Sequence, residues 1–332
     1  MPRPPVRPVV WQPPPTPPRA RETTGPEPVT LRRIEVNGKG PEDVVVDGDG
    51  RIVTGVDDGR VLRLTPDGRH IEVVADTGGR PLGIELFPDG SLLVCDARRG
   101  LLRVDPASGD VEPLVEQVDG ERLLFCNNAD IAADGTVYFT DSSRRFPIDH
   151  WRGDLYEHSG TGRLFRRAPD GTVQTLLDGL QFANGVALAA DESFVAVAET
   201  GSYQVTRLWL AGPDAGRRDV LIGNLPGFPD NIARGSDGLI WVTQASPRDP
   251  RLDRLHTLPP MLRRALWSLP PALQPNPART AWVLAVDGDG AVVRDLQAPG
   301  RDYHMVTGVR EHHGTVYLGS LVERAVAVMT TP

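Results

Sequence analysis

Four short polar segments could bring oxygen ligands to one point: GPED at Gly40–Asp43, CNNAD at Cys126–Asp130, FANGVAL at Phe182–Leu188 and LPGFPDNI at Leu225–Ile232. They supply the carboxylates of Glu42 and Asp230 and the amides of Asn127 or Asn128 and of Asn184. Such oxygens suit a hard cation. Calcium accepts roughly six to eight of them, whereas zinc more naturally recruits His or Cys. Each segment also has a plainer reading. Asn184-Gly185 reads as a turn, Glu42 as a solvated acid, and Asp230 as a turn cap beside Pro229. Asn127 and Asn128 are adjacent, so in a regular strand only one of them faces inward.

Proton-transfer chemistry has fewer candidates. The chain carries no H-E-x-x-H, no G-x-S-x-G and no Gly-rich phosphate loop. His150 and His158 flank an expected loop, and His304 and His312 lie near the end of the chain. Each reads first as a surface or hydrogen-bonding residue; His304 is the best placed of them to act as a base, because YHMVTGV leads into an expected inner strand. Asp141, closing YFTDSS, reads as an acceptor that supports a neighbouring group.

The elements that must position these residues are short. Apolar runs such as EDVVVDGDGRIVTG, LGIELFPDGSLLVCD, DIAADGTVYFTD and GVALAADESFVAVAET are too brief for helices and are punctuated by D-G or related turns. They read as antiparallel strands. Asp47, Asp89 and Asp134 occupy equivalent strand-turn-strand positions at intervals of 42 and 45 residues, and Asp191 and Asp237 lie 46 apart. That period fits four-stranded propeller blades. The expected fold is all-β, a six-bladed β-propeller, with seven blades or paired sandwiches as alternatives. In it the four polar segments, each ahead of an innermost strand, would converge on the axis. Closure would set a strand near Val316–Met329 against the first blade.

Two stretches fall outside this rhythm. Residues 1–28 form a Pro-rich arm that wraps the body or stays disordered, leaving 29–332 as the propeller domain. Residues 249–273 have apolar positions at helical spacing, and Pro259-Pro260 divide them into two short helices. This helical insertion reads as a lid or pocket wall, or else as a surface decoration or oligomer contact.

The remaining properties mostly exclude. With 36 basic against 44 acidic residues the net charge is -8, and no basic stripe points to nucleic acid. Prolines from Pro2 to Pro18 interrupt any signal-peptide core, and no apolar run is long enough for a membrane span. The expected location is therefore the cytoplasm. Cys95 and Cys126 are expected to be buried and reduced, with pairing the alternative in an exported protein.

The combination of GPED, YFTDSS, FANGVAL and LPGFPDNI resembles the strictosidine synthase-like branch of the gluconolactonase/paraoxonase-type calcium-dependent propellers, near the adipocyte plasma membrane-associated protein type. The likeness runs from about Glu35 to Val328. It implies a six-bladed propeller with one divalent metal in its channel, calcium first, with zinc, magnesium or manganese as alternatives. By matched position it implies Glu42, Asn184 and Asp230 as ligands, one of Asn127 and Asn128 beside them, and Asp43 and Asn231 in the same region. One departure is informative. Thr307 stands where strictosidine synthases carry the glutamate that promotes amine–aldehyde condensation, and threonine cannot act as that acid or base.

The reaction so implied is hydrolysis of a lactone or an aryl or carboxylic ester, a lactonase or arylesterase activity. The metal would polarise the carbonyl, and metal coordination, Asp230 or His304 would activate water. Phe182, Phe228 and the Trp267 region would make an apolar mouth for a partly hydrophobic small molecule. The alternatives are another metal-assisted reaction, such as lyase, isomerase or condensation chemistry, and a non-catalytic binding propeller stabilised by calcium.

Overall fold

A computed structural model describes residues 3–331. Six four-stranded antiparallel sheets surround a central channel. The innermost strands of blades one to six are Val45–Val46, Pro81–Leu86, Cys126–Ile131, Ala183–Leu188, Gly227–Arg234 and Val306–His312. The expected six-bladed propeller is thus the observed fold.

The recurring aspartates explain the period. Asp47, Asp89, Asp134, Asp191 and Asp237 each sit in the turn between the first two strands of a blade. There each accepts from the backbone N–H two residues on, at 2.8–3.0 Å. An Asx turn of this kind fixes the hairpin without tertiary help. Blade six has His313-Gly314 instead, with His313 at φ 49°.

Ring closure differs in detail from the expectation. The N-terminal strand Thr30–Glu35 does not belong to the first blade; it pairs with Ala325–Thr330 and completes the last one. The N-terminal strand thereby closes the ring as the outermost strand of the last blade, which covers the edge of Ala325–Thr330.

The innermost strands approach closely because glycine removes side chains at the contacts. A Cβ on Gly185 would lie 2.1 Å from the Ile232 nitrogen, and one on Gly308 would lie 2.6 Å from the Asp43 Cα. Either substitution would push neighbouring blades apart.

Above one end of the channel lie helices α1 (Arg152–Glu157), α2 (Pro250–Thr257) and α3 (Pro260–Ser268). Asp249 caps α2 by accepting from the Arg251 N–H at 2.8 Å, and Pro259-Pro260 separate α2 from α3 as expected. No helix among the described residues is long and apolar enough to cross a membrane.

Within the described residues the Pro-rich arm wraps the body. Trp267 donates to the Pro4 carbonyl, Val9 N–H to the Glu157 carbonyl, and Arg263 to the Val9 carbonyl. Trp11 stacks on His158 at 4.1 Å, and Arg19 forms a two-point ion pair with Asp295. The arm therefore ties α1, α2 and α3 together from outside. Cys95 and Cys126 are both buried and free.

Candidate metal centre

Every innermost strand that carries a candidate ligand is irregular at that ligand. Strand register shifts between Cys126 and Ala129, between Ala183 and Val186, and between Pro229 and Ile232. These bulges release Asn127, Asn184 and Asp230 from the ladder and aim them along the channel. Glu42 reaches the same place from the extended segment ahead of Val45–Val46.

A threonine collar holds these segments together. Thr140 donates to the Asn184 carbonyl at 2.6 Å, Thr200 to the Pro229 carbonyl at 2.7 Å, and Thr307 to the Glu42 carbonyl at 2.8 Å. Each bond runs from one blade to the next, so the backbone of three candidate ligands is fixed from outside its own sheet. The sequence marks Thr307 only as the replacement for a family glutamate and leaves Thr140 and Thr200 unmarked, because a threonine in or beside a strand looks like an ordinary β-former.

Glu42, Asn127, Asn184 and Asp230 meet at the base of one cavity of about 560 Å³. The amide nitrogens already have protein acceptors. Asn127 donates to Ser142 at 2.9 Å and Asn184 to Thr200 at 3.1 Å. Glu42 Oε1 accepts from Asn231 at 3.1 Å. Left over are Glu42 Oε2, Asn127 Oδ1 and Asn184 Oδ1, all buried without a protein donor. Buried oxygens in this state cost on the order of 1–3 kcal/mol each, so a shared cation is the economical partner for all three. Among the described residues no three His, Cys, Asp or Glu side chains cluster as a metal site. The donor set is two carboxylates plus amides, the chemistry of a hard cation rather than of zinc.

The electrostatics agree. Burial, reinforced by Asp230 and Asp43, raises the Glu42 carboxyl well above its usual range. Burial likewise pushes Asp230 up to about 7, with Asp43 adding to it and the Asn184 amide opposing it. Two carboxyls set this close in a dry site need positive charge to ionise together.

Other candidates are placed elsewhere. Asn128 is fully used within the wall, donating to Asp43 at 3.2 Å and accepting from the Val186 N–H at 2.9 Å. The bulge thus separates the adjacent pair, and Asn127 is the one that faces the cavity. Asn231 lies beneath the cavity, bonded to Glu42, with its own Oδ1 buried and unpartnered beside that carboxylate. Asp43 accepts from the Ile84 N–H and faces away from the cavity lining. His304 is not in the cavity: it pairs with Glu323 at 2.5 Å near the surface, which leaves Asp230 as the one candidate base at the centre. Trp267 is buried under the arm rather than at the mouth. Asp141 accepts from the Phe125 N–H at 2.7 Å and so supports the cavity wall.

That wall is mostly apolar. Phe182 and Phe228 contribute as expected, joined by Leu82, Phe125, Trp151 and Leu155, and α2 and α3 add Leu252, Leu255 and Leu266. Phe125 meets Phe182 edge to face at 5.6 Å. Phe125, Trp151 and Leu155 come from loops and a short helix inside blade three, where no periodic pattern marks them. Thr307 also lines the cavity.

Comparison with known proteins is consistent across the chain. Residues 29–64 match the family described as strictosidine synthase-like, N-terminal, and residues 127–213 match strictosidine synthase. The chain is 36% identical over 306 residues to adipocyte plasma membrane-associated protein of Salmo salar, covering 85% of this chain and 73% of that protein. It is 34% identical over 317 residues to Protein STRICTOSIDINE SYNTHASE-LIKE 10 of Arabidopsis thaliana, covering 85% and 83%. Among solved structures, a gluconolactonase of Xanthomonas campestris superposes with a TM-score of 0.67 at 20% identity, over 99% of this chain and 97% of that one. At that identity the superposition speaks for the fold alone.

Proposed function

The chain belongs to the strictosidine synthase-like family of propellers, and from that footing we propose that it is a calcium-dependent hydrolase of lactones or aryl or carboxylic esters. One observation carries the reading. The unpartnered oxygens of Glu42, Asn127 and Asn184 and the carboxylate of Asp230 share the base of an apolar cavity.

Glu42, Asn127, Asn184 and Asp230 would hold the ion. The chemistry a bound divalent cation supplies there is polarisation of a carbonyl and stabilisation of the negative charge that develops on its oxygen. Phe125, Phe182 and Phe228 bind the apolar part of the substrate and exclude bulk water. Asp230 accepts the proton of the attacking water on its carboxylate. An unperturbed aspartate, with a reference pKa of about 3.9, is a weak base at neutral pH; burial opposes ionisation of Asp230, and a bound cation would favour the carboxylate that takes the proton. Thr307 holds the Glu42 backbone and supplies no acid, so amine–aldehyde condensation lacks the group that would promote it.

A cavity that runs from the candidate ligands up to the helices favours an enzyme over a propeller whose metal only braces the fold. The deciding experiment strips metal with a chelator and assays a panel of lactones and aryl esters before and after calcium is restored, following the fold in parallel. Turnover that returns with calcium while the apo fold persists is the expected result. A folded, calcium-loaded protein that turns over nothing in the panel would sink the hydrolase reading.

A further inference from the structure

Helix α3 is amphipathic in the wrong sense for a helix that ends in water. At about 100° per residue, Arg263 and Trp267 share its inner face, and both are buried. Its outer face is Met261, Leu262 and Ala265, with Leu269 just past its end. Met261 is 68% exposed, and Leu262 and Leu269 are exposed too. The patch continues on both sides. Leu273 is 67% exposed in the turn after α3, which Gln274 folds back by donating to the Trp267 and Leu269 carbonyls. Val9 and Val10 of the arm are each 50% exposed, and Arg263 ties the Val9 carbonyl to α3.

Charge around the patch selects its partner. The whole chain is at -8, yet residues 249–279 hold five arginines against Asp249 and Asp253. Asp253 is spent on a buried pair with Arg248 at 2.8 Å. Arg254 and Arg264 on the helices, Arg279 beyond them and Arg7 on the arm are exposed. A second copy meeting this face with its own would set arginine against arginine. An anionic, apolar-cored partner satisfies both features, and a lipid surface bearing acidic headgroups is such a partner.

We propose that the outer face of α3, with Val9, Val10 and Leu273, docks shallowly into an anionic lipid surface, with Arg7, Arg254 and Arg264 on the headgroups. Leu266, one turn on from Leu262, and Leu255 line the cavity along the edge of this face, so the docked face borders the roof of the pocket. The assignment does not depend on any turnover.

The test is co-sedimentation of the full chain with phosphatidylcholine vesicles, with and without phosphatidylserine, in chelator so that calcium cannot bridge. Binding is expected to require phosphatidylserine and to weaken with salt. R254Q/R264Q should lower partitioning roughly fivefold per charge removed. M261E/L262E should abolish it while the melting curve stays at the wild-type position, because both side chains point outward. Equal binding to neutral vesicles, or unchanged binding of M261E/L262E, would overturn the proposal. So would absence of vesicle binding together with a dimer, seen by light scattering, that M261E/L262E disrupts.

Discussion

Asn231 and Glu42 lie 189 residues apart and meet across the channel, the amide nitrogen of one donating to Oε1 of the other at 3.1 Å. The bond fixes the Glu42 carboxylate and leaves Oε2 free among unpartnered amide oxygens. Glu42→Gln keeps the shape and removes the charge. In chelator this variant should melt at or above the wild-type temperature, since a buried acid facing Asp230 and Asp43 has been neutralised. Its calcium-induced rise in Tm should shrink strongly, because that rise reports affinity for the folded state. A variant that melts well below wild type in chelator would make Glu42 a structural acid instead of a ligand.

Asn127 and Asn128 should fail in different ways. Asn127→Ala removes a cavity oxygen and should weaken calcium binding with only a small loss of stability. Asn128→Ala strands the Val186 N–H inside the wall and takes one of two donors from Asp43 Oδ2, which keeps the Ile84 N–H; this should cost on the order of 1–3 kcal/mol. Denaturant melts in chelator and calcium titrations of both variants separate the two effects. The same result from both would contradict the bulge-based division.

This pair also shows where legibility stops. The aspartate turns announced the blades because an Asx turn is local chemistry, readable from a few residues. Glu42, Asn184 and Asp230 stood out because polar groups ahead of inner strands are few. Choosing between Asn127 and Asn128 required the bulge, which breaks the two-residue alternation that a strand reading assumes. His304 misled because its neighbour Met305, which does line the cavity, has φ 53°, so His304 and Met305 do not follow the course of a regular strand. The cavity wall from Phe125, Trp151 and Leu155 depends on loop packing, which leaves no periodic trace.

The contact of arm and helices should loosen in acid. Burial, with Arg263 adding repulsion, lowers the His158 imidazole to about 4. The same burial, with His158 and Arg263, lowers His256 to about 3. Both histidines bind protons more readily when unfolded, so the stability they confer is intact above about pH 6.5 and falls as pH drops toward 4. Asp154 on α1 runs the other way. Burial pushes it up to about 7, so its contribution is largest in acid and is lost as pH rises through 7. Hydrogen exchange of residues 3–20, corrected for intrinsic rates, should therefore show less protection at pH 5 than at pH 7. Asp154→Asn should enlarge that difference. Equal protection at both values would show that the histidines do not govern the arm.

Phe125 and Phe182 should set the preference for an aromatic substrate. Their edge-to-face contact at 5.6 Å shapes the wall beside Asn127 and Asn184. Phe125→Leu keeps an apolar side chain and the backbone bond to Asp141, but loses the ring. It should raise KM for aryl esters about tenfold, in line with an aromatic contact of roughly 0.5–1.5 kcal/mol plus lost buried area. Small aliphatic esters, which do not reach the wall, should be hydrolysed as before. Because both substrates are read on one folded protein, a general loss of stability would lower both alike. Parallel loss on both classes would remove Phe125 from substrate recognition, whereas a loss confined to aryl esters would place the aromatic group against this wall.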